Sequence, residues 1–92
     1  MLFAANQGSN NVSAFVIDAK TGALGAVSGS PFPTGGKGPN YLAATGTFLY
    51  VTDQGTNDVA AMAIGSNGAL TPVNGSPFNV ATQPTWVALG NE

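Results

Sequence analysis

The feature that most constrains this chain is that it is written twice. Leu2-Phe3-Ala4-Ala5-Asn6-Gln7-Gly8-Ser9-Asn10-Asn11-Val12 aligns with Leu49-Tyr50-Val51-Thr52-Asp53-Gln54-Gly55-Thr56-Asn57-Asp58-Val59, 47 residues on. Gly22-Ala23-Leu24 and Gly29-Ser30-Pro31-Phe32 return 46 residues on, as Gly68-Ala69-Leu70 and Gly75-Ser76-Pro77-Phe78. Pro39-Asn40-Tyr41-Leu42-Ala43 returns 45 residues on, as Pro84-Thr85-Trp86-Val87-Ala88. The offset changes only at turn residues, which is where a repeated structural unit tolerates insertion and loss. A chain of 92 residues therefore holds one unit of about 46 residues, used twice.

Each unit offers short apolar runs of Val, Ile, Leu, Phe and Tyr, cut by Gly, Asn, Ser, Thr and Pro. That is the pattern of short strands joined by tight turns. Four strand candidates recur: A at 41–44 and 86–89, B at 2–5 and 48–52, C at 12–17 and 59–64, and D at 24–27 and 70–73. The connections are short enough for hairpins, so neighbours are antiparallel. No segment holds a helical period beyond one turn. Prolines 31, 33, 39, 72, 77 and 84 fall at or near strand ends, where no ladder donor is needed. Four antiparallel strands every 46 residues or so is the period of a propeller blade. The expectation is an all-β chain of two four-stranded antiparallel propeller blades, repeat 1 over about 2–47 and repeat 2 over about 48–92, with strand order BCD-ABCD-A.

Phe48-Leu49-Tyr50-Val51-Thr52-Asp53, followed by Gly55-Thr56-Asn57-Asp58-Val59, resembles the YVTN-type repeat. Gly22-Ala23-Leu24 with Gly29-Ser30-Pro31-Phe32 extends the likeness over nearly the whole chain. That repeat is shared by surface-layer-like propellers and by the lactonase (6-phosphogluconolactonase-like) seven-bladed propellers. The resemblance implies a fold more than an activity. Lactonase-like propellers are expected to use histidine, arginine and acidic side chains around a central cleft. This sequence has no histidine and no arginine, so no catalytic residue carries over.

The strand order leaves the first blade without its inner strand and the last inner strand without a blade. An open sheet edge recruits a partner. The expected solution is head-to-tail closure, strand 86–89 of one chain completing the first blade of the next. A heterologous contact of this kind forms a ring when its angle closes. Three chains give six blades and four give eight; the homotrimer is preferred to the homotetramer. Phe3, Val12, Phe15, Leu24, Phe32, Tyr41, Phe48, Tyr50, Val59, Met62, Leu70, Phe78 and Trp86 would then be buried between blades. The alternative is a monomer with a small sandwich core. Because the chain opens directly on a strand, it reads as trimmed or as a piece of a longer repeat protein.

Composition removes several function classes. Without cysteine there is no disulfide and no thiolate ligand. Without histidine or arginine the commonest general base and the best phosphate fork are missing. The charged side chains are Asp18, Lys20, Lys37, Asp53, Asp58 and Glu92, for a net charge of -2. Such a surface attracts neither nucleic acid nor an anionic membrane. No run of 18 apolar residues spans a bilayer, and no intact signal peptide opens the chain. No cofactor or metal is implied.

The candidate site is the end of the sheets where the B–C and D–A connections meet, at 6–11, 53–58, 33–40 and 79–85. There Asn6, Gln7, Asn40, Asp53, Gln54, Asp58 and Thr85 could line a polar funnel for a small polar ligand or peptide. The competing explanation is that Asn and Asp sit there because they tolerate turns and bond their own backbone. Asp53 and Asp58 form a carboxylate pair suited to calcium or to acid–base chemistry, but their spacing matches no calcium loop. Their equivalents in the first repeat are Asn6 and Asn11. Thr34-Gly35-Gly36-Lys37-Gly38 resembles a phosphate loop only superficially, since it precedes a strand and lacks the full pattern. Asn11-Val12-Ser13 and Asn74-Gly75-Ser76 fit the glycosylation pattern, which Asn-rich chains meet by chance. The residues point first to a non-catalytic, self-assembling structural or binding module. The alternatives are a lactonase-like hydrolase or a surface-layer adhesion repeat.

Overall fold

A computed structural model describes residues 1–82, 84 and 87–89 of the chain. Nine strands run in order: β1 Leu2–Asn6, β2 Asn11–Ile17, β3 Leu24–Ala26, β4 Phe32–Pro33, β5 Pro39–Ala44, β6 Phe48–Asp53, β7 Asp58–Ile64, β8 Leu70–Pro72 and β9 Phe78–Asn79. Among the described residues there is no helix. The strands form two antiparallel sheets. The first has the order β1-β2-β3, with β4 also on β2; the second has the order β5-β6-β7-β8, with β9 also on β7. The registers repeat as the sequence does. Leu2 pairs with Phe15 and Asn6 with Asn11 in the first sheet, and Leu49 pairs with Met62 and Asp53 with Asp58 in the second.

The fourth strand of each unit departs from expectation. It is not one run at 24–27 or 70–73 but two short pieces, β3 with β4 and β8 with β9, both lying along the same neighbour. The Gly-Ser-Pro-Phe motif makes the break. After β3, Val27 donates to the Ala14 carbonyl at 2.9 Å. The chain then leaves the ladder through Gly29, at φ 91°, a conformation open to glycine. Ser30 swings back, and its Oγ accepts the Ala14 N–H at 2.9 Å. One residue past Pro31 the strand resumes, with Phe32 paired to Val12. Ala61, Val73 and Ser76 repeat this arrangement at the same distances. A two-residue strand beyond a proline carries too little alternation to stand out in sequence, which is why β4 and β9 escape a reading by pattern.

The two sheets pack face to face. Period-two alternation and the registers put Phe3, Ala5, Val12, Ala14 and Phe32 on one face of the first sheet. Leu42, Leu49, Val51, Ala60, Met62 and Leu70 share one face of the second. These two faces meet: Val12, Leu49, Val51, Ala60, Met62 and Leu70 form one buried cluster, with Phe3, Phe32, Leu42 and Ile64 against it. Each Val, Leu or Met removed from water there contributes roughly 1.5–3 kcal/mol before entropy is subtracted. The remaining faces are open. Leu2, Ile17 and Leu24 on the first sheet and Phe48 and Phe78 on the second are exposed, by 37% to 50%.

The expected inner strand at 86–89 begins at Trp86, outside the described residues. Val87, Ala88 and Leu89 are described and form no strand. A strand exists through its ladder, and in the single chain these three residues have none. No described helix is long and apolar enough to cross a membrane.

Candidate functional site

Three loops converge at one end of the sheets: the turn at 7–10 after β1, the turn at 54–57 after β6, and the Gly-rich segment 34–38 between β4 and β5. Segment 34–38 is laced to both turns. Thr34 N–H donates to the Asn10 carbonyl at 3.3 Å, and Gly38 N–H to Asn10 Oδ1 at 2.9 Å. On the other side, Lys37 N–H donates to Thr56 Oγ1 at 3.0 Å, Gln54 N–H to the Gly38 carbonyl at 3.0 Å, and Gly55 N–H to the Lys37 carbonyl at 2.8 Å. This loop is a strap across the seam between the sheets, with its Thr34, Gly36, Lys37 and Gly38 amides already engaged, and not a phosphate cradle. Asn10 and Asn57 close the two turns with φ of 62° and 58°, where Asn is among the few side chains tolerated.

Under the strap lie Asp53 and Asp58, partners across the mouth of the β6–β7 hairpin. Alternation puts them on the face that packs against the first sheet, in line with Val51 and Ala60. Asp53 is fully buried and Asp58 is 4% exposed. Neither Asp53 oxygen, nor Asp58 Oδ1, receives a hydrogen bond from a conventional donor. Burial first, and then its hydrogen bond to Asp58, push the Asp53 carboxyl up to about 7, against the lowering effect of the nearby Thr34 hydroxyl. The pair's own source of a hydrogen bond is a proton carried by one of the two acids. Gly36 closes it from above: a Cβ there would lie 2.5 Å from Asp53 Oδ2 and 2.6 Å from Thr56 Oγ1. The strap fits only because residue 36 has no side chain.

The first repeat solves the same geometry without a proton. Asn6 Nδ2 donates to Asn11 Oδ1 at 2.7 Å and to Ser13 Oγ at 2.8 Å. This amide pair lies on the outward face of the first sheet and is half-buried. Thr52, fully buried, donates its hydroxyl to Asn40 Oδ1 at 2.6 Å. Asn40 is the bulged residue where the β5–β6 register slips between Pro39 and Tyr41. Gln7 is exposed in its turn and Gln54 partly so. Thr85 lies outside the described residues. The expected residues that are described do gather at one end, but as internal bonds and a buried acid pair, not as the wall of an open funnel. Thr34, Gly36 and Thr56 complete the acid site and were not expected there. Only the strap's glycines hinted at a close approach, and nothing in sequence says what is approached.

The arrangement limits the chemistry. Among the described residues no three His, Cys, Asp or Glu side chains converge on a metal position. The acid pair can exchange a proton but is buried, with Gly36 directly over Asp53. A shallow groove of about 340 Å³, lined by Val16, Asp18, Ala23, Leu24 and Gly25, lies at the other end of the first sheet. Its one acid, Asp18, accepts from Lys20 and Thr21 N–H at 2.8 and 3.2 Å and is held below the usual carboxylate range by those bonds. It is a turn-forming residue, not a free base. No family model matches the chain, and no curated protein or solved structure matches it significantly.

Proposed function

We propose that this chain is a non-catalytic structural and binding module that closes with copies of itself, head to tail, into a β-propeller of six or eight blades. The observation that carries this reading is a glycine with no reason to be one in the single chain. At Gly55 a Cβ would lie 2.9 Å from the Lys37 carbonyl oxygen, because the strap from the first sheet presses on it. Its repeat equivalent, Gly8, has no left-handed backbone and nothing within 4 Å. The strap of another copy, arriving as 34–38 arrives at Gly55, would account for it. The path of such a strap begins in the same way after β9. Val80 N–H donates to the Asn57 carbonyl at 2.9 Å, as Thr34 donates to Asn10.

The open faces support the same joint. The outward face of the first sheet (Leu2, Ala4, Phe15, Leu24) is the repeat equivalent of the face of the second sheet already buried (Leu49, Val51, Met62, Leu70). The outward face of the second sheet (Tyr50, Val59, Phe78) is the equivalent of the buried face of the first (Phe3, Val12, Phe32). Each copy thus offers both halves of a joint whose geometry exists once inside it, and a heterologous joint of this kind propagates until it closes. The likeness to YVTN-type repeats agrees with this reading. A hydrolase would need Asp53 or Asp58 open to a substrate, and both are buried. The test is the mass in solution by light scattering or native mass spectrometry. A trimer or tetramer is expected for the parent chain and a monomer for Gly8→Val, whose added side chain blocks the joint while leaving the chain's own contacts untouched. A parent chain that stays monomeric at high concentration overturns the proposal.

A further inference from the structure

We propose that Asp53 and Asp58 form a proton-operated latch on the seam between the two sheets, closed when one proton is shared and released when both carboxylates are charged. This rests on the internal seam alone and holds whether or not copies assemble. Three carboxylate oxygens lie buried there without a conventional donor. One O–H···O bond between the acids engages two of these three oxygens; without its proton, two like charges would sit side by side away from water. The low dielectric that makes the shared-proton bond strong makes the unshared state costly.

The way out for the charges is set by the strap. Gly36 lies directly over Asp53 Oδ2, and Thr56 Oγ1, beside it, accepts the Lys37 N–H. Water reaches the pair when residues 34–38 lift, breaking the bonds that Lys37, Gly38, Gln54 and Gly55 amides make across the seam. The strap is short, polar and rich in glycine, the kind of segment that opens locally. The second sheet cannot rearrange instead, because Asp53 and Asp58 continue the row of Val51 and Ala60, which is fully packed.

Few other charges act on the pair. The strap carries Lys37, which is exposed; the turns at 7–10 and 54–57, and strands β4 and β9, carry no titratable side chain. Tyr41 and Tyr50 belong to the opposite face of the second sheet, and Asp18 and Lys20 to the far end of the first. The first repeat supplies the control within the molecule: Asn6 and Asn11 hold the same positions with a proton-independent bond. The latch is built into the second hairpin alone.

The experiment is amide hydrogen exchange followed by NMR from pH 5 to 8.5, corrected for the intrinsic rate, with the Asp53 carboxyl carbon titrated in the same samples. In the parent chain, protection at Lys37, Gly38, Gln54 and Gly55 should fall by up to about tenfold per pH unit until about pH 7 and then level off. Val27 and Val73, bonded within each sheet, should stay flat. Asp53→Asn with Asp58→Asn, which copies the first repeat, should hold all six amides flat. Should that variant not fold, the titration of the parent chain decides: a midpoint near 7 for Asp53 supports the latch. A midpoint near 4, seam amides that track Val27 and Val73 at every pH, or the same pH dependence in the double variant would overturn it.

Discussion

Ser30 Oγ accepts the Ala14 N–H at 2.9 Å, in the gap where the edge strand of the first sheet breaks away from its neighbour. Ser76 and Ala61 repeat the bond in the second sheet. Ala14 is fully buried and Ala61 nearly so, so the amide would otherwise be an orphan donor in the core. Ser30→Ala or Ser76→Ala should each cost about 1–3 kcal/mol, the penalty of leaving a buried donor unmade. Chemical denaturation should show a lower midpoint with an unchanged slope. Equal stability in either variant would mean the amide finds another partner.

Gly55→Ala and Gly8→Ala are the same change at equivalent positions, with opposite consequences expected. At Gly55 the new methyl meets the Lys37 carbonyl oxygen at 2.9 Å, so the strap must shift and the chain should lose about 1–3 kcal/mol. At Gly8 nothing is near, and the folded single chain should be unharmed or stabilised by about 0.4–1 kcal/mol through its unfolded state. The larger Gly8→Val should abolish assembly in a mass measurement.

Leu49→Ala and Leu2→Ala make a second matched pair. Leu49 is 1% exposed in the shared core, whereas Leu2 is 37% exposed on the open face. Truncating Leu49 should cost about 2–5 kcal/mol. Truncating Leu2 should cost the isolated chain well under that, about 1 kcal/mol or less, yet weaken assembly at low concentration. Dilution series by light scattering, run beside denaturation, separate the two effects.

Stability should depend on pH in a direction opposite to that of an ordinary salt-bridged carboxylate. Asp53 is pushed up from 3.8 to about 7 by burial and by Asp58. Below about pH 4 it is protonated in both folded and unfolded chains, and its contribution is fully present. Between about 4 and about 7 only the folded chain keeps the proton, so stability falls by at most about 1.4 kcal/mol per pH unit. Above about 7 the loss levels off, having reached a few kcal/mol. Urea titrations at pH 5, 6, 7 and 8 should show this decline, and Asp53→Asn with Asp58→Asn should remove most of it. A flat profile in the parent chain would mean that Asp53 titrates near its ordinary value.

Much of the local architecture was legible from residues. Alternation of apolar residues, with Gly and Asn at the turns, located the seven longer strands within a residue or two, because a two-residue side-chain period needs no tertiary information. The registers of the two sheets repeat as the residues do. What pattern could not show was the resumption of a strand beyond Gly-Ser-Pro. In the sequence Phe32 and Phe78 read only as rings to be buried between blades, and their pairing to Val12 and Val59 depends on where the serine hydroxyl lands.

The site was legible only as a list of residue types. Asn6, Asn11, Asp53 and Asp58 were recognisable as equivalent pairs at hairpin mouths, and their chemistry as amides or acids is fixed by the sequence. Which pair is buried was decided by packing: the same face points outward in the first sheet and against a neighbour in the second. Amides on the open side bond each other without a proton, while acids on the closed side must share one, because only there has the fold removed the water that would have solvated their charge.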